Sequence, residues 1–225
     1  RKDRKTRPRG PVTTRYVAGL FEAVGVDRVL TMDVHNLAVL QNAFRASTEH
    51  LEAHPLFVHE LEDEIGDADV VVVSPDEGGV KRASKFAEGL GAVLGHKVPT
   101  AFVEKTRKED GVRGGTLVGE VSGRVAIVVD DLISTAGTIT QAISAAAAGG
   151  AEAVYATATH GLFVGPANDR ISDAPVDALF VTNTVAPRLD GEAGRRLHIC
   201  NAAPRFAAAI QAVHTETSVS ALNEV

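Results

Sequence analysis

The sequence predicts an α/β protein built on parallel sheets with helices over both faces. Three observations predict it. Apolar runs of strand length alternate with stretches of helical spacing along the chain. Runs such as Asp69-Val-Val-Val-Val-Ser74 are continuously apolar rather than alternating, as in strands buried on both faces. The apolar mass is Ala, Val, Leu and Ile, with 4% aromatics and no Trp, in a chain of 225 residues that is 44% hydrophobic. That suffices for a packed core in one large or two small domains.

The elements follow in order. Residues 1–9 hold Arg1, Lys2, Arg4, Lys5, Arg7 and Arg9 beside Pro8 and Pro11, and read as a basic loop. Helical spacing covers 12–24, starting at Thr13 or Thr14. A buried strand over 28–33 ends in Asp33, a helix covers 55–65, and a second strand over 69–74 leads into a helix opened by Gly78-Gly79 and running to about 90. A third strand covers 98–103. Residues 104–115, charged and glycine-containing, read as a mobile loop between strands. A fourth strand over 124–130 ends in two acids, and an Ala-rich helix over 136–148 stops at Gly149-Gly150. Strands over 153–159, 176–182 and 196–201 and a helix over 203–213 complete the list. Two basic loops, each before a strand ending in Asp33 or Asp130, suggest two related halves meeting near Pro55.

The net charge is -6, so nothing general draws the chain to nucleic acid or to an anionic membrane. No apolar run has transmembrane length and no signal peptide is visible. Cys200 stands alone, which excludes an intrachain disulfide and fits a reducing cytoplasm; its neighbours mark it as a buried strand thiol. GxxxxGK[ST], CxxC and HExxH are absent, so neither a P-loop nor zinc is expected. The first residue is Arg, which reads as a trimmed or partial chain.

The sharpest chemical feature is Asp130-Asp131-Leu132-Ile133-Ser134-Thr135-Ala136-Gly137-Thr138. A buried strand delivers two carboxylates, and a turn of hydroxyls and small residues runs into a helix. Helix-initial N–H groups and dipole suit a phosphate. Ser134, Thr135 and Thr138 add donors, Gly137 permits close backbone approach, and carboxylates beside the cradle suit sugar hydroxyls. The competing reading is an ordinary strand–loop–helix with an Asp cap. Where Ligands sit in such folds, at the carboxyl ends of the strands, Asp33, Asp76 and Asp130-Asp131 all fall.

This segment resembles the phosphoribosyl diphosphate motif of type I phosphoribosyltransferases and ribose-phosphate diphosphokinases. Arg1 through Arg9, Asp33-Val34-His35, Ser74-Pro75-Asp76-Glu77-Gly78-Gly79-Val80-Lys81-Arg82-Ala83 and Thr159-His160-Gly161 resemble the diphosphokinases in the same order. The resemblance implies two phosphoribosyltransferase-like domains, the first truncated: 1–50 as the remainder of an ATP-side domain, 51–205 as a ribose 5-phosphate domain, and 206–225 as a C-terminal helix and tail. It implies transfer of a diphosphate from MgATP to C1 of ribose 5-phosphate, with Mg2+ as the metal. Arg1, Lys2, Arg4 and His35 would hold ATP, and His35 and Asp76 the magnesium. Asp76, Glu77, Gly78 and Gly79 would receive the diphosphate. Asp130, Asp131, Ser134, Thr135, Ala136, Gly137 and Thr138 would hold ribose 5-phosphate, and Lys105 and Arg107 would be the catalytic cations of the mobile loop.

From the residues alone, Arg1 to Arg9 is equally a solvated basic surface, His35 a structural hydrogen-bonder, and Lys105 to Lys108 a charged hairpin tip. The chain departs from the family pattern in Lys2 for Gln and Ser134 for Asp. It also departs in a longer, less aromatic stretch after His35, and in Glu109-Asp110. The resemblance further implies a cytoplasmic, dimer-based homo-oligomer, with a hexamer among its allowed assemblies. Such an enzyme would be weak as a chain starting at Arg1. The alternatives are a phosphoribosyltransferase and a non-catalytic regulatory relative.

Overall fold

The computed structural model describes residues 3–5, 8–107 and 113–225, with the backbone alone for 105–107, 113 and 114. The chain forms two compact units, Arg1–Ala53 with Ala203–Glu224, and His54–Ala202 with Val225.

In the first unit, α1 (Thr13–Ala23) precedes β1 (Arg28–Met32), α2 (Leu37–Ala43) and β2 (Ser47–Leu51). β1 and β2 pair in parallel from Arg28↔Ser47 to Met32↔Leu51. α2 starts at Asn36, whose side-chain oxygen accepts the Val39 N–H at 3.1 Å, satisfying one of the helix's orphan donors. A two-stranded sheet is marginal by itself. The C-terminal segment supports it: Asn223 donates to the His50 carbonyl at 3.0 Å and accepts the Glu52 N–H at 2.8 Å. α2 and β2 were not foreseen, because Ser-Thr-Glu-His-Leu carries no apolar run and α2 is only two turns long.

The second unit runs α3 (His54–Ile65), β3 (Val70–Ser74), a 3₁₀ turn (Glu77–Gly79), α4 (Val80–Leu94), β4 (Thr100–Arg107), β5 (Arg113–Val118), β6 (Val125–Ile133), α5 (Gly137–Ala148), β7 (Ala153–Gly161), α6 (Ala167–Asp173), β8 (Ala178–Thr182), α7 (Gly191–Arg195) and β9 (Leu197–Cys200). Its sheet has seven strands in the order β5-β4-β3-β6-β7-β8-β9. β5 is antiparallel to β4 and every other pairing is parallel. All five residues of β3 and of β8 are buried, as strands covered on both faces must be. The α/β architecture with parallel strands and flanking helices is the one the sequence predicts.

Two details differ. Of the expected loop over 104–115, residues 104–107 and 113–115 are strand, β4 continuing to Arg107 and pairing with β5 through Lys105↔Gly115 and Arg107↔Arg113, while 108–112 lie outside the described residues. The polar, glycine-rich composition hid an antiparallel ladder at the sheet edge. β6 also runs past Asp130 to Ile133, because β7 pairs with it as far as Ile133↔Gly161.

The chain leaves β3 toward β4 on one side and later returns to β6 on the other. The carboxyl ends of β3 and β6 therefore flank a topological switch point, where an open α/β sheet leaves a crevice for a ligand.

Candidate active site

Two loops meet this crevice. The first leaves β3 at Ser74. The Ser74 hydroxyl is fully buried and donates to the Asp76 carbonyl at 2.6 Å. Asp76 caps the following turn, its Oδ1 accepting the Gly79 N–H at 3.2 Å. A Cβ on Gly79 would lie 2.6 Å from Ser74 Oγ, so the turn can close only around glycine. Asp76, Glu77, Gly78 and Gly79 thus form a short capped entry to α4.

Asp130 and Asp131 lie within β6 just before the second loop. Asp130 Oδ1 accepts the Asp131 N–H at 2.8 Å. Arg82, in the first turn of α4, bridges both carboxylates: Nη1 to Asp130 Oδ1 and Nη2 to Asp131 Oδ2, each at 3.2 Å. The side chains of Asp130 and Asp131 are 14% and 4% exposed. Burial pushes the Asp130 carboxyl up to about 7, the neighbouring Asp131 adds to the rise, and Arg82 opposes it. Arg82 is a site residue that motif reading left without a role. Its signal was its place three residues after Gly79, on the helix that the first loop opens.

The second loop spans Ser134 to Thr138. Ala136 stands before α5 with φ +61°. That left-handed conformation costs a non-glycine residue on the order of 1 kcal/mol, and burial of Ala136 in the core holds it. Its carbonyl accepts the Thr140 N–H at 3.0 Å and the Thr140 hydroxyl at 2.8 Å, starting the helix. Thr135 is exposed, and Ser134, Gly137 and Thr138 are half-buried. A Cβ on Gly137 would lie 3.1 Å from the guanidinium of Arg170.

The second unit therefore gathers Asp76 to Gly79, Asp130, Asp131 and Ser134 to Thr138 around β3, β6 and the helices they feed. Lys105 and Arg107 are placed by backbone register on β4 opposite β5, beyond the pairing with β3 that ends at Ser74↔Phe102. Arg4 and His35 belong to the first unit and are exposed. Arg1 and Lys2 lie outside the described residues. His160 Nδ1 lies 2.8 Å from the Thr184 hydroxyl, at the carboxyl end of β7. Cys200 is buried as expected, and burial pushes its thiol up to about 12.

Among the described residues, no three His, Cys, Asp or Glu side chains cluster as a metal cage. The donor set fits magnesium in another way. Mg2+ takes oxygen ligands, keeps several waters, and is usually held by one or two carboxylates together with substrate phosphates. Asp76 offers such a carboxylate.

Two open grooves flank the unit. One of about 570 Å³ runs along α5 and α6 past Gly137 and Arg170. The other, about 690 Å³, lies by His96, Lys97 and the start of β4, at the amino edge of the sheet and away from the acids. Among the described residues, no helix is long and apolar enough to cross a membrane.

The chain is similar to known proteins over nearly its whole length. Residues 104–224 match the family model of the phosphoribosyl synthetase-associated domain. The chain is 41% identical to a ribose-phosphate pyrophosphokinase of Caldanaerobacter subterraneus over 99% of its own length and 68% of that protein. It is 41% identical to one of Listeria ivanovii over 100% of its length and 68% of that protein. It superposes on the crystal structure of phosphoribosylpyrophosphate synthetase from Mycobacterium smegmatis with a TM-score of 0.83 and 35% identity, covering 96% of this chain and 68% of that one. The capped loop after β3, the acid pair on β6 and the hydroxyl-rich turn before α5 are thus set in a chain that belongs to the ribose-phosphate pyrophosphokinase family of enzymes.

Proposed function

We propose that the protein makes 5-phosphoribosyl 1-diphosphate by moving the diphosphoryl group of MgATP to the C1 hydroxyl of ribose 5-phosphate, releasing AMP. The observation that carries the reading is the acid pair bound to Arg82 immediately before the Ser134 to Thr138 turn, at the β3/β6 switch point.

The 5-phosphate sits on the N–H groups and hydroxyls of Ser134 to Thr138 at the start of α5. Asp130 and Asp131 accept hydrogen bonds from the ribose hydroxyls and orient the ring. The C1 oxygen attacks the β-phosphorus, forming a new P–O bond while the bond to the bridging oxygen of AMP breaks. Asp76 to Gly79 receive the transferred diphosphate. Lys105 and Arg107 supply positive charge to its oxygens. Asp76 would offer a carboxylate oxygen to magnesium, and the family resemblance would add His35; the bound ion would supply charge neutralisation at the phosphates. Arg1, Lys2 and Arg4 are assigned to the nucleotide by that resemblance. Asp130 serves orientation and sugar-hydroxyl binding rather than general-base catalysis; the C1 hydroxyl's proton leaves to solvent, since transfer with a good leaving group needs little basic help. The same reading places the protein in cytoplasmic nucleotide biosynthesis, as a homo-oligomer.

The test is incubation with MgATP and ribose 5-phosphate. AMP formation that depends on ribose 5-phosphate is expected. Diphosphate release from phosphoribosyl diphosphate and a nucleobase would instead make it a transferase, and binding without turnover a regulatory relative.

A further inference from the structure

The second loop is held from outside by a segment that no motif marks. After β7, Leu162 and Phe163 both donate their N–H to the Ile133 carbonyl, at 2.9 and 3.3 Å, and Val164 donates to the Ser134 carbonyl at 2.9 Å. Arg170, from α6, donates Nη1 to the Thr135 carbonyl at 2.8 Å. Three consecutive carbonyls of the loop are therefore drawn to one side by residues 162–170.

A trans peptide is planar, with its C=O and N–H pointing in opposite directions. Fixing the carbonyls of Ile133, Ser134 and Thr135 turns the N–H groups of Ser134, Thr135 and Ala136 the other way. Those N–H groups are the ones an oxyanion at the start of α5 needs. The clamping segment is itself anchored. Phe163 packs against the core with φ +47°, its ring against Gly161, where a Cβ would lie 2.5 Å from the ring. Ala167 and Ile171 of α6 are buried. Arg170 spans the remaining gap from that anchored helix to the loop, and its guanidinium occupies the space beside Gly137 that a side chain would need.

We propose that Arg170 is a positioning residue for phosphate recognition: its hydrogen bond to the Thr135 carbonyl sets the direction of the Ala136 N–H and holds Ala136 in its left-handed conformation. Arg170 acts through the backbone of the loop rather than on the phosphate. The proposal rests on the ribose 5-phosphate reading above for its ligand, but its geometry is testable without it.

The experiment pairs amide hydrogen exchange of the ligand-free protein with calorimetric binding of ribose 5-phosphate, for the wild type, Arg170→Met and Arg170→Lys. The proposal expects Arg170→Met to speed exchange at 134–138 while β3 and α4 keep their protection, and to weaken ribose 5-phosphate binding about tenfold, the worth of one such hydrogen bond. Arg170→Lys, which keeps a donor, should recover part of both. Exchange at 134–138 unchanged in Arg170→Met overturns the proposal, as does loosening spread evenly over the whole unit. A wild type that binds no ribose 5-phosphate overturns the ligand reading instead, and exchange at 134–138 then decides the clamp alone.

Discussion

The two loops at the switch point are built alike and held differently. Each leaves a parallel strand, fully buried in β3 and buried except at Asp130 and Leu132 in β6, and leads through small residues into a helix. The loop after β3 is stabilised from within: Ser74 and Gly79 both bond to Asp76 within a six-residue stretch. The loop after β6 is stabilised from elsewhere in the chain. Arg82 reaches its acid pair from α4, and residues 162–170 bind its carbonyls. A self-contained turn suits a fixed receiver of charge. A turn whose acids and peptide planes are set by separate elements can be adjusted to a particular ligand at more points.

The largest effect should come from Arg82, which ties the two loops together. Arg82→Met leaves two adjacent, largely buried carboxylates without their cation. Breaking a buried pair from one side is costly, and partial exposure of Arg82 brings the expected loss to about 2–3 kcal/mol by urea denaturation at pH 7. The same pair gives a pH signature. An acid whose folded pKa lies above its unfolded one binds its proton more tightly when folded. Its contribution to stability therefore falls as pH rises from about 4, the unfolded value, through about 7. Asp130→Asn should remove that downward slope, seen as a stability difference from wild type that grows between pH 5 and pH 7.5 in the variant's favour. A difference independent of pH would mean that Asp130 is not held protonated.

The glycines separate the loops next. In Gly79→Ala the new methyl meets the short, buried, hydrogen-bonded Ser74 hydroxyl at 2.6 Å, and about 2 kcal/mol of stability should be lost. In Gly137→Ala it meets the far end of Arg170 at 3.1 Å, which can swing aside, so the loss should stay below about 1 kcal/mol. Equal losses in thermal melts would erase the distinction between a self-held and an externally held loop. Ser74→Ala, which removes one hydrogen bond within the first loop, should fall between the two glycine variants at about 1 kcal/mol.

What could be read from the sequence follows the same division. β3, β6 and α5 were legible because a continuous apolar run, an acid and a hydroxyl-rich turn are all local signals. So was the first loop, whose partners lie within a few residues. The clamp was not legible. Arg170 lies 35 residues from Thr135, on a seven-residue helix whose buried positions are only Ala167 and Ile171. β2 and β5 escaped for a related reason: both pair at or near sheet edges with polar or glycine-rich sequences, so their strand character comes from the neighbouring strand. Ala136 shows the limit most sharply. Its identity suggests a helix start, and its left-handed backbone depends on core burial together with long-range bonds to its loop.

The most direct test of the account is an amide NMR titration of the protein with ribose 5-phosphate. The account predicts saturable shifts concentrated at Ser134, Thr135, Ala136, Gly137 and Thr138, with Asp130 and Asp131 following. Shifts centred on the groove by His96 and Lys97, or no saturable shifts at all, would contradict it.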